Sequence, residues 1–143
     1  MKRTDRRSDC PINFALQLFG DSWSLLIIRD LMFKGKHTYA EFADSEEQIS
    51  TSVLADRLKS LTASGIIRRT GAGRSTRYYL TKKGAELLPV LLDMIVWSGE
   101  YDADTGVPAA FVQRAISDRS GLLAEFQTRI MSDHEISQMS IAG

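Results

Sequence analysis

Between Thr38 and Thr81 the chain changes its hydrophobic period once, and that change narrows the folds open to it. Thr38 precedes a short run in which Tyr39 and Phe42 lie one turn apart and Glu41 stands at the third helical position, the pattern of a capping box. Ser50 is a second N-cap. Behind it Leu54, Leu58 and Leu61 recur at helical spacing, so STSVLADRLKSLTA reads as a helix with one apolar stripe that stops at Ser64 and Gly65. Past Gly65 the chemistry becomes that of strands: IIRRT and TRYYL, rich in β-branched and aromatic residues, flank the glycine-rich tip GAGRS.

The flanking segments read as helices. After Pro11, the residues Ile12, Phe14, Ala15, Leu16, Leu18 and Phe19 make a short apolar helix that ends at Gly20. Asp21 or Ser22 caps the next, SWSLLIIRDLMF, with Trp23, Leu26, Ile27, Leu31 and Met32 at helical spacing, and both helices are expected in the core. Thr81 caps one long helix, KKGAELLPVLLDMIVWSGEY, kinked at Pro89, with Leu87, Leu91, Met94 or Ile95, and Trp97 or Ser98 on its apolar face. One or two amphipathic helices follow, from Ala110 to Ile116 and through Leu122, Leu123, Phe126 and Ile130, and the last ten residues read as frayed. The order predicts a mainly α fold with a small β-hairpin wing (α+β), a winged helix-turn-helix with a C-terminal helical extension. Its divisions are a basic arm at 1–10, a DNA-binding and dimerisation domain at 11–101 and the extension at 102–143.

Charge says where a partner would sit. The formal net charge is zero, but the stretch from Ser50 to Lys83 holds eight basic residues and one acid, whereas the remainder from Gly84 has three and nine. A field of that kind attracts a polyanion, here double-stranded DNA. An interaction module that has lost DNA binding is the alternative, and the eight-to-one ratio weighs against it. No apolar run approaches the roughly 20 residues of a membrane span, and MKRTDRRSDC lacks the apolar stretch of a signal peptide, so a cytoplasmic protein without a membrane partner is expected. Its one cysteine, Cys10, makes no internal disulfide. His37 and His134 without a Cys-x-x-Cys do not suggest a metal site, and no nucleophile-base pair or nucleotide-binding glycine motif suggests an enzyme or a cofactor.

In this arrangement the helix behind Thr38 crosses the phosphate backbone and the helix behind Ser50 enters the major groove. Thr51, Ser52, Ala55, Asp56 and Lys59 lie away from the leucine stripe; Asp56 reads as solvated. Arg57, on the border, either meets a phosphate or braces the domain through Asp30 or Glu41. Arg74 at the tip and Arg68, Arg69 and Arg77 on the arms suit phosphates or a narrow minor groove. The residues read as DNA-binding are Thr38, Ser50, Thr51, Ser52, Ala55, Arg57, Lys59, Arg74 and Arg77. Cys10 is a candidate thiol sensor, since Arg6 and Arg7 nearby would favour its thiolate, but a buried or inert thiol beside the first helix is the preferred reading. Trp23, Trp97 and the phenylalanines read as core and interface.

From Cys10 to Trp97 the chain resembles the HxlR-type regulators of bacteria. The resemblance rests on Cys10-Pro11; on Gly20, Trp23, Leu26 and Ile27; on Tyr39 to Phe42; and on Ile49, Ser50, Leu54, Arg57, Leu58, Leu61, Gly65 and Ile66. It continues through Tyr78, Leu80, Thr81 and Gly84 to Pro89, Val90, Leu91 and Trp97. The resemblance implies a homodimeric repressor or activator that dimerises through its first helix and the long helix after the wing. In some relatives the matching cysteine senses oxidants or electrophiles, so a small-molecule or redox effector, unidentified, is implied as a further partner. Arg77 stands where many members have an acid, and Gly71, Ala72 and Gly73 where many have a proline-bearing tip, which implies a more basic and more flexible wing.

Overall fold

Local signals build the first half of the molecule. A computed structural model describes residues 6–137, in two compact units, one ending at Gly84 and the other beginning at Ala85. Helix α1 (Pro11–Phe19) opens on a proline, whose missing N–H has no helical partner to lose, and closes at Gly20. It buries none of its residues, and Ile12 is 69% exposed, so it is not the core helix expected. The core place belongs to α2 (Ser24–Phe33), which buries Ile27, Ile28, Leu31 and Met32 and packs on the hairpin. Asp21 is the cap of α2: its carboxylate accepts from the amides of Trp23 and Ser24, both at 3.0 Å, and from the Ser24 hydroxyl at 2.6 Å.

Helices α3 (Tyr39–Ala43) and α4 (Thr51–Ala63) close over Phe42, Ile49, Leu54, Leu58 and Leu61, the last three being the stripe read from the spacing. Gly65, at φ +77°, ends α4: its N–H reaches Thr62 O and that of Ile66 reaches Leu61 O, the two bonds of a Schellman motif. Strands β1 (Ile67–Thr70) and β2 (Arg77–Leu80) then pair antiparallel, Ile67 opposite Leu80, Arg68 opposite Tyr79, Arg69 opposite Tyr78 and Thr70 opposite Arg77. Their tip is a closed turn, tighter than its glycines suggest. Residues Gly73–Ser75 form one 3₁₀ turn, and the Ser75 hydroxyl accepts from Ala72 N at 3.2 Å and donates to Ala72 O at 2.7 Å. Gly71, at φ +75°, has the Ser75 carbonyl where a Cβ would be.

The long helix expected after Thr81 is two helices. Short α5 (Lys82–Ala85) stops, the chain turns at Glu86 and Leu87, and Pro89 sits in the first turn of α6 (Leu88–Tyr101). A proline with no N–H to donate starts a helix more readily than it kinks one. In the second unit α6 packs with α7 (Ala109–Ser117) and α8 (Arg119–Asp133), and Leu88, Leu91, Leu92, Ala115, Leu122, Leu123 and Ile130 are buried. Phe111 meets Phe126 edge-on at 6.2 Å, and Arg119 pairs with Asp93 on α6. Of the face expected for this helix, Leu91 is buried and Leu87, Ile95 and Ser98 are half-buried, whereas Met94 is 49% and Trp97 67% exposed, so Trp97 is not core. Of the ten terminal residues read as frayed, those from 138 on lie outside the described residues. The molecule is mainly helical with one two-stranded wing.

Candidate nucleic-acid interface

The capping box at Thr38 is complete. Thr38 Oγ1 accepts from Glu41 N at 3.2 Å, and Glu41 Oε1 accepts from Thr38 N and from His37 N, both at 3.1 Å. The His37 amide, with the Thr38 hydroxyl, holds the Glu41 carboxyl below its ordinary pKa. Thus Thr38, half-buried, spends its hydroxyl on orienting α3. Ser50 does the same for α4, its Oγ accepting from Val53 N at 3.4 Å.

Between the two helices the turn is braced from α2. Asp30, 2% exposed, accepts from the Ser45 hydroxyl at 2.5 Å through one oxygen and from Arg29 at 2.8 Å through the other. Arg29 also forks onto Glu47, with bonds of 2.6 and 2.9 Å, and Lys36 Nζ donates to Ser45 Oγ at 3.0 Å. The Arg29 guanidinium pulls the Glu47 carboxyl down to about 2. Gln48, at φ +58°, completes the turn with its N–H on Ser45 O. Sequence reasoning missed this network, because its partners come from three segments.

On α4, Thr51, Ser52, Ala55, Asp56 and Lys59 are all exposed on the side opposite the buried leucines. The Tyr39 hydroxyl donates to Thr51 O at 2.8 Å, tying the start of α3 to the first turn of α4. Arg57 braces the domain through a different acid from the two expected. It meets Asp56 at 2.5 Å and Asp21, the α2 cap, at 3.5 Å, while Asp30 and Glu41 are engaged as described. Contact with Asp56 raises the Arg57 pKa. Against the upward push of burial, the bonds from Ser24 and Trp23 hold Asp21 below the usual carboxylate range. Asp56 is therefore exposed but paired.

The hairpin is docked by Tyr78 of β2, whose N–H donates to His37 O at 2.8 Å, and at its base by Thr81, whose hydroxyl donates to Gly65 O at 2.5 Å. Arg68 lies over the Tyr79 ring at 4.5 Å; Arg69, Arg74 and Arg77 are exposed. Cys10, at the start of α1, is exposed too, which overturns the buried form of the inert reading. No helix among the described residues is long and apolar enough to cross a membrane.

A capped two-helix unit, an exposed small-residue face on the second helix and a basic hairpin define a DNA-binding transcriptional regulator of the winged helix-turn-helix class. The HxlR-like helix-turn-helix family matches residues 18–105, and the chain belongs to that family. It is similar to the uncharacterized HTH-type transcriptional regulator sll1512 of Synechocystis sp., 36% identical over 88 residues, 59% of this chain and 64% of that one. The chain thus spans less than two thirds of that relative. The HTH-type transcriptional regulator YodB of Bacillus subtilis is 33% identical over 96 residues, 64% of this chain and 85% of YodB. The reduced form of YodB superposes with a TM-score of 0.55 at 32% identity, covering 70% of this chain and 100% of that one. The quinone-bound form gives 0.55 at 35%, covering 64% and 99%.

Proposed function

We propose that the chain acts in the cytoplasm as a homodimer, binding an inverted-repeat operator in double-stranded DNA to repress or activate transcription. The arm at 1–10, the DNA-binding and dimerisation domain at 11–101 and the extension at 102–143 remain the divisions of this reading. The observation that carries it is the exposure of Thr51 and Ser52 on the first turn of α4, next to Ala55 and Lys59, with Arg74 and Arg77 exposed on the wing. Side chains on such a turn reach base edges, the positive end of the helix dipole favours phosphate, and wing arginines anchor the backbone. Thr38, Ser50 and Arg57 act by holding these elements in place.

The dimer reading is supported by two exposed apolar stretches. On α6, Val90, Met94, Trp97 and Tyr101 fall at intervals of four, three and four residues, one helical face; on α1, Ile12, Phe14 and Leu16 are exposed. Duplex binding at several salt concentrations, with the protein's mass followed by sedimentation, tests the proposal. A dimer whose affinity falls steeply with salt is the expected result, and a salt-insensitive monomer would refute it.

Exposure of Cys10 supports a second reading, thiol sensing. YodB has been solved with a quinone bound. If Cys10 serves this chain as a sensor, a quinone or diamide changes operator affinity in the wild type and not in Cys10→Ser.

A further inference from the structure

Asp56 is an acid on the face of α4 that the DNA-binding reading turns toward a polyanion. It stands four residues after Ser52 and three before Lys59, so the three side chains form one row, on the side opposite the buried Leu54, Leu58 and Leu61. A loose carboxylate there would turn from phosphate into solvent. Asp56 is not loose. Arg57 Nε and Nη2 donate to the same carboxylate oxygen, Oδ2, at 3.2 and 2.5 Å, while Arg57 Nη1 lies 3.5 Å from Asp21 Oδ1 at the start of α2. Asp21 is itself fixed by the amides of Trp23 and Ser24. The Arg57 side chain is 27% exposed and that of Asp56 66%, so a largely covered guanidinium ties an exposed carboxylate to a second helix. Among the described residues Oδ1 of Asp56 has no partner, and Lys59, its neighbour in the row, forms no ion pair with it.

We propose that Asp56 is a specificity-determining residue whose Oδ1 accepts from the exocyclic amine of one cytosine in each half-site, and that Arg57 is the residue that positions it. The inference rests on the DNA-binding reading and deepens it, assigning a base preference to one side chain. An ionised carboxylate only accepts hydrogen bonds. In the major groove guanine shows two acceptors, N7 and O6, and thymine an acceptor and a methyl group. Adenine sets the acceptor N7 beside its amine, and cytosine alone shows a donor without an acceptor of its own next to it. Asp56 therefore selects twice, toward cytosine by a charge-assisted bond and against the other bases by bringing acceptor to acceptor. The brace makes this workable. With Oδ2 neutralised by Arg57, the pair adds little net charge near the phosphates and still presents one directed oxygen.

The test uses the full chain and a pool of random-sequence duplexes, from which each protein selects its own sites at one salt concentration. Wild-type sites should carry a C·G pair at one fixed position of each half-site. Asp56→Asn, of the same size, should replace it by A·T and leave every other position as it was, because a carboxamide bonds adenine N6 and N7 together. Asp56→Ala should lower discrimination at that position about tenfold and bind random duplex at least as well as the wild type, since an acid has been removed. Arg57→Lys should blur the same position alone, an ammonium being unable to hold one carboxylate oxygen from two nitrogens; wild-type selection by this variant would remove the positioning role. Selected sites unchanged in both Asp56 variants would overturn the inference, leaving Asp56 as a solvated acid. So would a loss spread over all positions, which would make Asp56 a support for α4. Failure of the wild type to enrich any sequence would instead defeat the sequence-specific DNA-binding reading itself.

Discussion

The Ser45 hydroxyl donates to the Asp30 carboxylate at 2.5 Å, joining the helix-turn-helix turn to the core helix α2. Asp30 is buried, and its other oxygen is held by Arg29. Asp30→Ala would leave the buried Ser45 hydroxyl without its acceptor and the Arg29 guanidinium with Glu47 alone. Leaving a buried polar group without its partner costs about 1–3 kcal/mol. Urea unfolding should show a loss of that order, and a loss under about 1 kcal/mol would mean the network is ornamental.

Acid should loosen the same turn. The Glu47 carboxyl is lowered from 4.5 to about 2 by the Arg29 guanidinium, so its contribution is complete above pH 4.5 and disappears as pH falls toward 2. Glu41 and Asp21, also lowered, act with the same sign. Glu47 is 37% exposed, so solvent screening limits the pair to about 1 kcal/mol or less. Stability measured across this range should fall less steeply in Glu47→Gln than in the wild type, and identical curves would refute the assignment.

The helix and the wing tip should divide the reading of DNA. On the proposed function, Thr51 and Ser52, exposed on the first turn of α4, would meet base edges, and Arg74, exposed at the wing tip, would meet phosphate. Arg74→Ala should weaken operator and random DNA alike and flatten the salt slope by about one unit. Thr51→Ala with Ser52→Ala should reduce the preference for operator and leave the slope nearly unchanged. The reverse pattern would exchange the roles.

The apolar face of α6 should set the oligomeric state. Trp97 is 67% exposed, so Trp97→Glu disturbs little inside its own unit. Sedimentation at micromolar concentration should shift from dimer to monomer with helical content preserved. A variant that stays dimeric would move the interface elsewhere.

A footprint on the operator should cover half-sites whose centres lie about 10 to 10.5 bp apart, or a multiple of that, related by inversion. Protection of a solitary half-site would count against a symmetric dimer.

The parts of this molecule that could be read from sequence are those decided within a few residues. Thr38 with Glu41, Ser50 with Val53, and Gly65 with Thr62 are contacts three positions apart, and the two caps and the helix stop fall where the spacing implied. Pro89 was misread because a proline near a helix start and one at a kink have the same local pattern; only the turn at Glu86 and Leu87 distinguishes them. Arg57 finds Asp21 across 36 positions of chain, and the exposure of α1, where α2 is buried as expected, depends on the completed packing. No local signal encodes either.

One residue, Ile66, joins the end of α4 to the foot of the hairpin. Its N–H closes the end of α4, and its carbonyl accepts from the N–H of Thr81 at 3.1 Å and the Thr81 hydroxyl at 3.0 Å at the foot of the wing. Helix and hairpin therefore share a hinge pin and behave as a caliper with a fixed gape. On the proposed function, such a caliper would gauge the distance between the bases under α4 and the phosphates under the wing, and a half-site lengthened by one base pair should be rejected even when every contacted base is kept.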